Sequence, residues 1–412
     1  MHPQLAQRQT KSLLDDERTL KRLAMNQRRN KEQDHSPKLD AASAAFKYAD
    51  CKNEFWNPER FSLLYGTPLW NEATQSQKVL LNQLYWVGYY AQIISAEIAT
   101  IFFNQTCAAG LYALEDFRSV CDTLDLESAQ ERAHINAFKV VSEQVEAEVF
   151  GERIFTYPMR AWHAETMIFN DSGPFRRAWK RFLLQAFSLV SSSNPFLACQ
   201  YFTVRGLRTL KGKMVQHELS QYYSTHADQE HAPIPSKISY FHFLDESFHF
   251  NSSCLIGHDV INSLPKPTRF EAMLGNAGIA GCQKDHFPIS IAVNGLFWHD
   301  PALFPVVYRV LRSRAFGFSD ADAKEMIRRC FTEETQGLVE AAKTHATAVD
   351  SYKAYLANLE YVNQANKDMA IMARSTPENY LKTNRRAFAR FLRRPELHAE
   401  PGQPVAALPA PA

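Results

Sequence analysis

The chain has 412 residues, 45% of them apolar and 22% charged, enough for one large domain or two ordinary ones with a sizeable core, which excludes wholesale disorder. Lys and Arg number 46 against 44 for Asp and Glu, a formal net charge of +2, so no global field gathers nucleic acid or an anionic membrane. Aromatic residues reach 12% while glycine stands at only 15, a balance that suits a helical core better than a turn-rich sandwich.

Residues 1–50 carry mixed charge and few large apolar side chains before Phe46, which predicts a mobile or weakly helical arm without chemistry of its own. The first residues are charged and lack an apolar h-region, so no signal peptide is expected. The seven cysteines are scattered and never spaced as CxxC. That argues against a disulfide framework and a thiolate zinc site, and for a reducing cytoplasm.

Asn57-Pro58 and Asn194-Pro195 each place a capping residue before a proline suited to a first helical turn. Four long helices are predicted at 75–112, 125–149, 195–222 and 236–262. The run Val79–Phe103 is apolar on nearly every side, but Asn82, Gln83, Gln92 and Glu97 within it favour a buried core helix over a membrane span. The expected organisation is all-α: an arm at 1–50, a four-helix-bundle domain at 51–300, a helical extension at 301–394 that includes Asp320–Arg374, and a disordered Pro/Ala-rich tail at 395–412. No internal repeat, Gly-rich phosphate loop, GxSxG elbow or dinucleotide fingerprint is present.

The chemistry is carried by carboxylates in apolar surroundings. Glu97 lies within IISAEIATIFF, where an unpaired carboxylate costs several kcal/mol (roughly, for a buried charge) and requires a cation or a proton. Glu131 and His134 form an ExxH pair, which shares one helix face. Glu246 and His249 form a second pair amid Tyr240, Phe241, Phe243, Phe248 and Phe250, with His242 one turn earlier on the same stripe. A dinuclear site in a four-helix bundle takes a Glu from each of two helices and an ExxH from each of the others. Glu218 is the preferred fourth contribution and Glu165 its competitor. Four carboxylates then balance two divalent ions, and oxygen and nitrogen donors without cysteine favour iron or manganese. The bland alternative is that each buried Glu pairs with Arg or Lys and each His donates to a carbonyl. His217, His226 and His231 read as part of an ordinary exposed turn.

In their order, Glu97, Glu131-x-x-His134, Glu218 and His242-x3-Glu246-x-x-His249 resemble the diiron arylamine oxygenases typified by p-aminobenzoate N-oxygenase, over roughly residues 75–265. The histidine one turn before the second ExxH is the most specific feature. The resemblance implies a ferritin-like bundle, two iron ions cycling between Fe2+ and Fe3+ with manganese as the alternative, O2 as co-substrate, and oxygenation of a small amine in specialised metabolism. It implies Glu131 and Glu246 as bridges, Glu97 and His134 completing one iron, and Glu218, His242 and His249 on the other. A ferredoxin or reductase as electron donor follows from the same resemblance, with no nucleic-acid or membrane partner and a homodimer left open. Hydroxylation or desaturation of a C–H bond, and metal binding without turnover, are the competing readings.

Overall fold

The computed structural model describes residues 12–112, 114–155, 174–286 and 303–393. Helices dominate, and no strand occurs among the described residues. Helices α1 (Glu17–Glu32), α2 (Ser36–Ala45), α3 (Tyr48–Cys51) and α4 (Pro68–Glu72) precede the long α5 (Gln75–Leu111) and α6 (Arg118–Phe150). Then come α7 (Pro174–Ser191), α8 (Pro195–Ser224) and α9 (Ile234–Cys254), whose end runs into a single π-helical stretch, Leu255–Val260.

Local chemistry sets the ends of these helices. Thr74 and Gln77 form a reciprocal capping box at the start of α5. Gly151, at φ +69°, ends α6 in the left-handed conformation that glycine adopts without a Cβ clash. Asn194 accepts the Leu197 amide at 3.0 Å ahead of Pro195, as expected for the start of α8. The parallel expectation at Asn57-Pro58 fails, because no helix starts there. Asn57 is instead locked to α5: Asn82 Oδ1 accepts from the amides of Trp56 and Asn57 at 2.8 and 3.1 Å, and Asn57 Nδ2 donates to the Asn82 carbonyl at 3.0 Å. Gln83 donates to the carbonyls of Lys52 and Glu54, both at 2.9 Å. The polar residues of α5 thus satisfy the backbone of a loop folded over it, as buried amides require.

Helices α5, α6, α8 and α9 form an all-α, ferritin-like bundle, with α5 packed on α6, α8 on α9, and the two pairs against each other. The segment expected as a mobile or weakly helical arm carries α1 and α2, which lie against α6 and α9. Beyond residue 300, helices at Leu303–Arg312, Asp320–Thr332, Gln336–Leu356 and Pro377–Phe391 complete the two apolar clusters of the core. The tail at 395–412 lies outside the described residues. None of the described helices is long and apolar enough to cross a membrane.

Candidate metal centre

Glu97 on α5, Glu131 and His134 on α6, and His242, Glu246 and His249 on α9 are all buried and meet in the middle of the bundle. One ligand atom from each of Glu97, His134, His242 and Glu246 lies within 4.8 Å of the others, and the same holds for Glu131, Glu246 and His249. Glu246 belongs to both groups. Its Oε1 lies 3.0 Å from His249 Nδ1, 3.7 Å from His242 Nε2 and 3.9 Å from His134 Nδ1. Glu97 Oε1 lies 3.1 Å from His242 Nε2 and 3.5 Å from His134 Nδ1, and Glu131 Oε1 lies 3.3 Å from His249 Nδ1.

Two expectations need correction. Glu218 does not join the cluster: it is partly exposed near the end of α8 and paired with Arg60. His242, expected with Glu218 and His249, stands with Glu97, His134 and Glu246. Glu165 lies outside the described residues. His217 and His231 are exposed and His226 is half-buried, with His231 pairing with Asp228 at 2.8 Å. All seven cysteines are free thiols, and none belongs to either donor group.

The bland reading of these acids also finds no support, since among the described residues no Lys or Arg forms an ion pair with Glu97, Glu131 or Glu246. Their neighbours are one another and the imidazoles. Glu97 Oε2, Glu131 Oε2, His134 Nδ1 and His242 Nδ1 are buried and make no hydrogen bond. Such orphaned atoms are rare and costly, and a cation among these carboxylates would engage the first three. The donor set therefore fits metal ions.

The charges point the same way. Burial works to lower the His134 pKa, but Asp245, Glu131 and Glu97 override it and lift it well above the ordinary imidazole range. His249 is raised likewise against burial, by Glu246 and Glu131. Burial alone would raise Glu131, yet His249 and His134 hold it below the usual carboxylate range. Glu97 is raised, chiefly by burial.

Residues that sequence reasoning passed over complete the site. Asp245 accepts from His134 Nε2 at 3.2 Å, and Gln130 Oε1 accepts from His249 Nε2 at 2.9 Å. Each sits immediately before the Glu of one ExxH and crosses to the histidine of the other. The only signal in the sequence was that adjacency. Holding the proton on the outer nitrogen leaves Nδ1 of both rings bare toward the carboxylates. Arg205 on α8 pairs with Glu127 at 2.7 Å and donates to the His249 carbonyl at 2.7 Å, Ser253 Oγ at 2.8 Å and Asn104 Oδ1 at 2.9 Å. One buried guanidinium thus ties the four bundle helices together. Phe138 and Tyr90 enclose His242, with ring centroids 4.9 and 5.7 Å away.

A ferritin-like helical bundle around a buried Glu/His cluster suited to metal ions defines the class of this protein. Residues 18–392 match the family model described as acyl halogenase CylC-like, and the chain belongs to that family. Comparison with curated proteins and with solved structures gave no match.

Proposed function

We propose that the protein is a dinuclear iron enzyme that uses O2 to replace a hydrogen of an acyl chain by halide. The observation that carries this reading is a charge imbalance. Among the described residues the cluster holds three carboxylates, Glu97, Glu131 and Glu246, because Glu218 faces Arg60. Counting the ligand carboxylates alone, with Asp245 held by His134 and His35 outside them, two divalent ions would outweigh them by one positive charge, which an external anion can balance. The helix without the fourth carboxylate instead offers Lys213, half-buried with its ammonium 4.6 Å from the Phe250 ring centre. Burial lowers its pKa, against the opposing pull of Cys254 and Glu246. The family description supports both halide and acyl group as substrates.

When bound, the ions supply O2 activation and removal of an electron and a hydrogen from the substrate. The protein's own side chains do the positioning. Glu246 belongs to both halves of the centre, Asp245 and Gln130 keep the outer imidazole protons in place, and Tyr90 and Phe138 exclude water around His242. Exchanging C–H for C–halide while O2 becomes two waters consumes two electrons and three protons. An external reductant, a ferredoxin or reductase, is therefore the partner, and a cytoplasmic role in specialised metabolism belongs to the same reading. Manganese suits the same donors.

N-oxygenation of an amine is the second reading, favoured by His242 joining the cluster one turn before Glu246. A direct comparison tests the two: protein loaded with Fe(II), a reductant and O2 is given chloride or bromide with acyl thioesters, or aromatic and aliphatic amines. Products carrying the halogen isotope pattern support the first reading; hydroxylamine, nitroso or nitro products replace it with the second. Oxygen uptake that only mineralises iron would overturn both in favour of metal storage.

A further inference from the structure

The outer hydrogen bonds of His134 and His249 lead to the same short stretch of chain, the end of α1 and the turn that joins it to α2. Asn30 is fully buried near the end of α1, and its Oδ1 accepts from Gln130 Nε2 at 2.9 Å. Asp34 Oδ1 accepts from the same amide at 3.3 Å. With its NH2 group committed there, Gln130 must turn its carbonyl oxygen to His249 Nε2, which leaves that nitrogen no role but donor. One residue further on, the backbone N–H and Nδ1–H of His35 both donate to Asp245 Oδ1, at 3.2 and 2.8 Å. The remaining oxygen, Oδ2, is the one that accepts from His134 Nε2.

The turn is itself anchored. The His35 ring stacks on Phe241 with centroids 5.6 Å apart. Asn26, one turn before Asn30, donates to the Phe248 carbonyl at 3.3 Å and to Ser252 Oγ at 2.9 Å, and Arg22 pairs with Asp259. The first helix is thereby registered along α9 on both sides of His249. Neither Asn30 nor His35 belongs to the four-helix bundle, yet each decides how one imidazole is presented to the centre.

We propose that the stretch 30–35, the end of α1 and the turn after it, is the shared support of two of the three cluster histidines, with His35 positioning His134 through Asp245 and Asn30 positioning His249 through Gln130. The proposal rests on the reading of the cluster as a dinuclear metal centre. Loss of such outer partners costs about 10–100-fold in metal affinity in other sites. The two arms serve different donor groups. His35 acts on the group of Glu97, His134, His242 and Glu246, whereas Asn30 acts on that of Glu131, Glu246 and His249.

The test is Co(II) titration of the full-length protein against a competing chelator, followed by the visible absorption of the bound ion and by the melting temperature of the metal-free protein. Parent protein is compared with His35→Ala, Asn30→Ala and the conservative His35→Asn and Asn30→Asp, which keep a donor and an acceptor respectively. Each alanine variant is expected to weaken one Co(II) ion about 10–100-fold, a different ion in each case, with most of the affinity recovered in its conservative partner. If His35→Ala does not fold, His35→Phe preserves the stacking on Phe241 while removing the donor. Unchanged affinities and spectra, or equal weakening of both ions that merely tracks a lowered melting temperature, would overturn the proposal. Parent protein that binds no Co(II) would instead sink the metal-centre reading beneath it.

Discussion

Asp245 on α9 accepts a hydrogen bond from His134 on α6 at 3.2 Å, so the residue just before one ExxH glutamate orients the histidine of the other ExxH. Gln130 returns the relationship to His249 at 2.9 Å. This crossed pair links the two helices at the level of the centre and fixes which ring nitrogen faces inward.

Anaerobic loading is expected to give about two Fe(II) per chain, the number a carboxylate site of this kind holds. Glu246 belongs to both donor groups, so Glu246→Ala should bind neither ion tightly, while Glu97→Ala should retain one. Elemental analysis after gel filtration reads both outcomes, and a Glu246→Ala protein that still holds two ions would rule out the shared carboxylate.

Glu218→Gln should leave metal content unchanged, because this side chain faces Arg60 instead of the cluster. A partly exposed pair of this sort is worth about 0–1 kcal/mol. The expected result is a small shift in denaturant midpoint with an unaltered iron content; loss of an iron ion would return Glu218 to the ligand set.

Asn82→Ala should destabilise the fold by about 2–4 kcal/mol, since it strips partners from the buried amides of Trp56 and Asn57 and from the hydroxyl of Ser62. Urea unfolding monitored by Trp fluorescence measures this directly. A change below about 0.5 kcal/mol, the usual range for surface substitutions, would mean that the loop closes over α5 without it.

The cysteines should resist alkylation in the native protein. Burial pushes Cys107 up to about 12 and Cys51 up to about 12, and even the partly exposed Cys254 rises to about 11, again mainly through burial. A thiol reacts as thiolate, and the thiolate fraction falls tenfold for each unit by which the pKa exceeds the pH. Native protein at pH 8 should label slowly and denatured protein at all seven cysteines. Rapid native labelling of Cys254 would contradict this.

Much of the bundle was legible in the chain because helical periodicity, caps and breaks are local. The expected spans 75–112 and 195–222 correspond to α5 and α8, while 236–262 covers α9 and the π stretch that follows it. Glu131 with His134, and His242 with Glu246 and His249, were recognisable because spacings of three and four residues put side chains on one helix face whatever the helix packs against. Glu97 stood out because a carboxylate in so apolar a run must be compensated.

Tertiary structure alone decided the rest. Whether Glu218 faces the centre depends on the rotation of α8 against its neighbours and on Arg60, which lies far away in sequence and ahead of the bundle helices. The grouping of His242 with Glu97 and His134 depends on how α9 crosses α5 and α6. Asn30 and His35, in a stretch whose composition read as a mobile or weakly helical arm without chemistry, become buried partners of the centre through Gln130 and Asp245, about 100 and 210 residues further along the chain. Composition records how much a segment can bury by itself. It does not register polar hydrogen bonds that exist only once α1 and α2 dock on α6 and α9.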